Sequence, residues 1–197
     1  MRLSVLSLVL LASPVLAQQS RPDTSVLAAR VVTATRLPIS RDAVTAAVSV
    51  LDGATLRAEG VTHVGDALRR VPGLALARTS SFGSQQALFL RGGQSNYVRV
   101  LVDGVPLNEP GGVLDLGRIT LDDVERIEVV RGPASVLYGS EAVTGVIQIF
   151  TRTGDGATRV QSELGGGSFG ALRASLGGSG RVLGAQWSLQ GDRHASD

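Results

Sequence analysis

From residue 157 onward the chain alternates. Val160 and Leu164 alternate with Arg159, Gln161 and Glu163, and Leu172, Ala174 and Leu176 with Ala171, Arg173 and Ser175. In 182–192 Leu183, Ala185, Trp187 and Leu189 alternate with Gln186, Ser188 and Gln190. A strand sends successive side chains to opposite faces, so a period of two excludes helix and predicts three strands joined at glycine turns. Two kinds of sheet carry this pattern. One is an ordinary antiparallel sheet with one wet face. The other is the wall of an outer-membrane barrel, apolar toward lipid and polar toward the lumen.

The N-terminus favours the barrel. Met1-Arg2 is followed by a nine-residue run, 3–11, apolar except for Ser4 and Ser7, and then by Pro14 and Val15-Leu16-Ala17. That is the pattern of a secretory signal peptide at 1–17, cleaved after Ala17. The run is too short to span a membrane as a helix, which takes ~20 apolar residues, and no later segment reaches that length either. Insertion into a membrane would therefore be by strands.

Composition narrows the function. With 43% hydrophobic and 18% charged residues the chain is not a disordered one. All 19 bases are arginine and the net charge is 19 − 17 = +2, so no nucleic acid is called for. Aromatic residues, at 4%, are too few to stack along a single strand. Without cysteine there is no disulfide, Fe–S cluster or cysteine zinc site, and His63 and His194 are the only histidines. No metal and no cofactor is expected.

Between these ends the pattern is mixed. Residues 18–29 are polar and read as a loose tail; 30–36 are β-branched and extended until Pro38. A strand is expected at 44–51, closed by Asp52-Gly53, and a short helix at 54–59, stopped at Gly60. Thr62 is placed to cap a helix whose Val64, Ala67, Leu68 and Val71 share one face, ended by Pro72-Gly73. Strands follow at 74–78 and 87–91 around a polar loop, 79–86. Strands at 97–102 and 105–107 flank Asp103-Gly104, a pair that suits a type I′ turn with two positive φ angles. Then come a helical turn at 121–125, a strand at 126–131, a turn of helix at 134–138 and a strand at 144–151. The fold class is α+β, with mixed short strands and helices followed by the antiparallel strands of an incomplete transmembrane barrel.

Several catalytic motifs fail on context. Residues 165–170 match G-x-G-x-x-G, but a kinase needs a strand lysine and a dinucleotide fold needs a following helix. The same glycines frame Ser168 as a nucleophile elbow, yet the only downstream histidine is His194, inside another strand pattern. A tight turn explains them. Arg91-Gly92-Gly93 stands alone as an RGG box, and Asp122-Asp123 lacks the spaced oxygens of a calcium loop. His63 reads as a surface residue, and Glu125 and Glu128 as a solvated face at a helix–strand junction. No catalytic residue is expected, and the chain does not read as an enzyme.

Five strings in order carry a resemblance. They are Asp66-Ala-Leu-Arg-Arg-Val-Pro-Gly73, Leu88-Phe-Leu-Arg-Gly92, Val100-Leu-Val-Asp-Gly-Val-Pro-Leu107, Val124-Glu-Arg-Ile-Glu-Val-Val-Arg-Gly-Pro-Ala-Ser-Val-Leu-Tyr-Gly139 and Gly145-Val-Ile-Gln-Ile149. Together they resemble the plug domain of TonB-dependent outer-membrane receptors over about residues 28–156, closest to cobalamin-type receptors, with siderophore receptors second. The resemblance implies a signal peptide at 1–17, a tail at 18–43 with a TonB-box-like segment, a plug at 44–156, and about three strands of a truncated barrel at 157–197. It implies active uptake of a scarce small molecule such as cobalamin or a ferric siderophore, at the cell outer membrane, with the tail in the periplasm.

Site residues follow from it. Arg30-Val31-Val32-Thr33-Ala34 resembles the second half of the TonB box, with Ala28 and Ala29 where the family has an acidic residue and threonine. An extended segment on a mobile tail suits strand addition to TonB. Arg91 and Arg131 match plug arginines that meet acidic residues of the remaining barrel wall, where charge-assisted pairing would fix the plug's pose. The loops 79–86 (Ser80, Ser81, Gln85, Gln86) and 107–114 (Asn108, Glu109) match outward-facing loops that would touch ligand. A soluble periplasmic binding module without a barrel is the alternative, with a secreted hydrolase a distant third. Since three strands cannot close a barrel, residues 18–156 alone are expected to be soluble and 157–197 alone to aggregate through unpaired edges.

Overall fold

The computed structural model describes residues 30–40, 43–78, 86–109, 114–117, 119–154, 157–168 and 170–195. At its centre is a five-stranded mixed sheet of β3 (Ala47–Asp52), β6 (Val98–Val102), β7 (Val105–Pro106), β8 (Val124–Arg131) and β9 (Gly145–Thr151), in the order β3-β8-β9-β6-β7. Only β6 and β9 run parallel. Asp103 and Gly104, at φ 47° and 85°, make the tight β6–β7 turn that the sequence predicts.

Alternation sorts the strands into two faces. On one, Val98, Val100, Ile127, Val129, Ile147 and Ile149 enter the main core. That face is covered by helix α1 (Gly53–Ala58), helix α2 (Val64–Leu68) and the hairpin of β4 (Leu74–Arg78) with β5 (Gln86–Leu90). Leu56, Val64, Ala67, Leu68, Leu88 and Leu90 complete this core. α1 starts at Asp52, whose carboxylate accepts from the Thr55 amide at 2.7 Å and satisfies one of the helix's free donors. Gly53 is required here: a Cβ would lie 2.2 Å from the Val124 carbonyl oxygen.

The other face holds two smaller clusters. Leu101, Ala142 and Val146 pack with Tyr138 of α3 (Ser135–Tyr138), while Val48 and Val130 pack with Val31. Val31 belongs to a short pair of strands, β1 (Arg30–Val31) and β2 (Ile39–Ser40), which lies N-terminal to the sheet.

Beyond the linker lie β10 (Arg159–Gly166), β11 (Leu172–Val182) and β12 (Ala185–Ala195), an antiparallel sheet in sequence order. Cross-strand partners lie on the same face, so the register puts Val160, Leu164, Leu172, Leu176, Val182 and Leu189 together. All six are exposed. The opposite face carries Arg159, Gln161, Glu163, Arg173, Ser175, Ser188 and Gln190 and turns toward the central unit. Among the described residues no helix is long and apolar enough to cross a membrane, which leaves strands unaddressed.

Several expectations change. The extended run at 30–36 stops at Val31 and turns through residues 33–35, because Thr33 and Val31 are buried against the sheet. The helical turn at 121–125 is absent: residues 121–123 form a turn and β8 already begins at Val124. Glu128 is no solvated residue but fully buried in mid-strand, and only Glu125 is exposed. His63, expected at the surface, is buried; it precedes α2 and bridges to Thr120, while Thr62 bonds the His63 ring rather than capping the helix. Leu183, counted within a strand, sits with Gly184 in the β11–β12 turn at φ 51° and 84°.

Candidate functional site

Three regions of the central unit carry chemistry, and the sheet positions each. The first is the second face of the sheet around Glu128. Val50, Glu128 and Gln148 are cross-strand neighbours there, so a carboxylate stands among apolar side chains. A buried charge survives only with partners. The Glu128 Oε2 accepts from the Val32 amide at 2.9 Å, the Thr33 amide at 2.8 Å and the Thr33 hydroxyl at 2.7 Å. Its Oε1 accepts from Arg126 Nε at 2.9 Å. Arg126 in turn pairs with Glu125 and lies over the Phe150 ring. The Tyr138 hydroxyl donates to the Thr33 carbonyl at 2.8 Å, and Arg36 lies over the Tyr138 ring. Burial holds that hydroxyl's pKa above its ordinary value, so it stays a donor.

Residues 31–33 are therefore held as a strap, with the backbone donors of Val32 and Thr33 on one carboxylate. This corrects the expectation of a mobile segment at these positions. Of the five candidates, Val31 and Thr33 are buried, Val32 and Ala34 half-buried, and Arg30 is described through its backbone alone.

The second region is the corner at Pro72-Gly73. Arg91 follows β5 in a left-handed conformation, φ 52°, and its amide donates to the Gly73 carbonyl at 2.8 Å. Arg131 ends β8 and donates from Nη1 to the Pro72 carbonyl at 3.1 Å. A Cβ built on Gly132 would lie 3.8 Å from Arg91 Nη1, so both arginines attend one corner. Among the described residues neither makes an ion pair.

The third region is the pair of candidate ligand loops. Ser80, Ser81 and Gln85 lie outside the described residues. Gln86 is drawn inward instead: it begins β5, is buried, and its Oε1 sits where a Cβ on Gly65 would stand 2.2 Å away. Asn108 turns its amide to the edge of β6, accepting from the Val100 amide at 2.7 Å and donating to the Val98 carbonyl at 2.9 Å. Glu109 is exposed. Of the six, it alone is described with an exposed side chain.

Glu128 escaped the sequence reading, although one signal was present. It falls in an otherwise apolar run, Ile127-Glu128-Val129-Val130, where a solvated face has no room. Among the described residues no cluster of three or more metal-ligating side chains occurs.

A small mixed sheet, strapped at its N-terminus and followed by wall-like strands with lipid-type alternation, defines a plug-type domain. A family model described as TonB-dependent Receptor Plug Domain matches residues 40–146. The chain belongs to this family, which is one of receptors and not of enzymes. It is 30% identical to the ferric yersiniabactin uptake receptor FyuA from Yersinia pestis, with TM-score 0.59, covering 70% of this chain and 22% of that one. The siderophore receptor PirA from Acinetobacter baumannii is 28% identical, with TM-score 0.57, over 76% of this chain and 25% of that one. The ferripyoverdine receptor of the outer membrane of Pseudomonas aeruginosa, bound to ferripyoverdine, shares the fold at TM-score 0.65 and 20% identity, over 79% of this chain and 20% of that one. The chain thus spans about a fifth to a quarter of the length of these solved structures.

Proposed function

We propose that this chain supplies the plug and first wall strands of an outer-membrane receptor that takes up a ferric siderophore with energy from TonB. The observation that carries the ligand class is the 30% identity to a ferric yersiniabactin uptake receptor over 70% of this chain. It favours the siderophore branch over the cobalamin branch. The apolar outer face of β10–β12 supports placement in the outer membrane, with the N-terminal tail toward the periplasm, and weighs against a barrel-less periplasmic module.

In this reading residues 30–34 are the strand offered to TonB. Strand addition uses main-chain donors and acceptors. The Val32 and Thr33 amides are donors of that kind, and Glu128 holds both while the strap is down. Release from Glu128 thus precedes pairing. Arg91 and Arg131, which make no ion pair among the described residues, would meet carboxylates of a barrel wall. Ligand contact falls to the loop 79–85 and to Glu109, since Gln86 and Asn108 are turned to the plug's own structure.

The test is a chimera in which residues 30–154 replace the plug of a ferric yersiniabactin receptor, assayed for iron uptake in cells with and without TonB. Uptake that requires TonB and is lost in Val32→Pro supports the proposal. Uptake independent of TonB, or unchanged by that proline, overturns the assignment of the strap.

A further inference from the structure

Among the described residues, a side chain from each of the three wall strands reaches the plug, and these three meet the same corner. From β10, Gln161 accepts from the Arg152 guanidinium. From β11, Arg173 pairs with Asp122 and lies within 3.6 Å of Glu163 on the neighbouring strand. From β12, Ser188 faces the Asp123 side chain across the cavity that both line. On the plug side these groups are locked to one another, because the Arg152 amide donates to the Asp123 carbonyl at 2.9 Å. The linker closes the contact at Gly154, which is buried. A Cβ there would stand 2.3 Å from the Gly180 carbonyl oxygen and 2.5 and 2.6 Å from the Trp187 carbonyl oxygen and nitrogen.

Around this corner the sheet stands off the plug. Two polar cavities of about 570 and 580 Å³ lie between the two, one against the β6–β7 turn and the other against α1. With so much open space, apolar packing does not set the position of the sheet. The polar contacts do. Asp122 and Arg173 carry the heaviest share, since their side chains are 3% and 12% exposed and a buried charge cannot be left alone.

We propose that Asp122, Asp123 and Arg152 form a clasp that seats the first three wall strands on the plug, and that this seating needs no later strand. The partner it recognises is chemical and specific: one guanidinium, one amide and one hydroxyl, presented on one face by adjacent antiparallel strands, with Gln161 level with Gly177 and Ser188 with Ser179 on the strand that carries Arg173. In a growing barrel the clasp would give the wall its register against the plug from its first two hairpins. The contact holds whatever the receptor's cargo, so its failure is separate from failure of the uptake reading.

The test uses the whole 197-residue chain in detergent. It contains no cysteine, so Val105→Cys with Leu183→Cys, both highly exposed positions, takes two spin labels, one on the plug and one on the sheet. A second pair, Val105→Cys with Val136→Cys, reports on the plug alone. A narrow label-to-label distance between plug and sheet is expected, lost in Arg173→Met and recovered in the exchange Asp122→Arg with Arg173→Asp, while the plug pair stays narrow throughout. A broad distance in the unsubstituted chain, or a narrow one in Arg173→Met, overturns the clasp. If Arg173→Met broadens both pairs, the exchange decides: recovery of the plug–sheet peak supports the clasp, and its absence overturns it.

Discussion

Glu128 concentrates the logic of the strap in one carboxylate. Charge makes its bonds to Val32 and Thr33 stronger than neutral ones, at about 1.5–3 kcal/mol each. Glu128→Gln keeps the shape and one acceptor but removes the charge. We expect binding of TonB's C-terminal domain to the 197-residue chain to rise about tenfold, or ~1.4 kcal/mol, measured by calorimetry. Binding to a peptide of residues 26–38 contains no Glu128 and sets the ceiling for that gain. Glu128→Ala is a different experiment, since it strands buried amides and leaves Arg126 with Glu125 alone. A loss of about 2–4 kcal/mol is expected in urea unfolding. If Glu128→Gln leaves both stability and TonB binding unchanged, the charge has no part in holding the strap.

At the scale of elements, two glycines that look alike in sequence should behave differently. A Cβ on Gly53 would meet the backbone of β8, whereas one on Gly65 would meet the far end of the Gln86 side chain. Gly53→Ala should lower stability by about 1–3 kcal/mol and Gly65→Ala by well under 1, read from denaturant midpoints. Equal losses would show that β8 yields as easily as a side chain. Most elements were legible because a local cause makes each one: Asp103-Gly104 makes its turn, and the stripe of Val64, Ala67 and Leu68 makes α2. The misreadings share another cause. At 121–125 a helical turn gave way to the pairing of 62–64 with 119–121, in which Val64 donates to Ile119 and Leu121 to Thr62. His63 was buried by the same pairing. For Glu128 and Gln86 the deciding partners lie in distant segments, and for Asn108 they are backbone groups of β6, eight and ten residues back, which no side-chain pattern marks.

In the whole molecule, plug and wall meet through a group that titrates. Burial raises the Asp123 pKa above 3.8, a shift that neighbouring Arg152 opposes and neighbouring Asp103 strengthens. A raised folded pKa means that the folded chain holds this proton more tightly than the unfolded chain. The stability it contributes is full below about pH 3.8 and is lost as pH rises through the folded value. Asp123→Asn should therefore flatten that part of the stability–pH profile and leave the arms at other pH values in place, measured by thermal unfolding across a buffer series. An unaltered slope would mean that Asp123 titrates as if solvated.

Lifting the strap is also a question of what becomes wet. The strap covers Val48 and Val130 with Val31, a cluster separate from the main core on the opposite face of the sheet. Its departure re-exposes few large apolar side chains, with Val31 itself worth about 1.5–3 kcal/mol, and otherwise bares Glu128 and Gln148, which water solvates well. An opened plug would thus present a small mixed scar, with Val48, Val50 and Val130 beside Glu128 and Gln148. Closing again would require no refolding of the main core, which lies on the opposite face of the sheet.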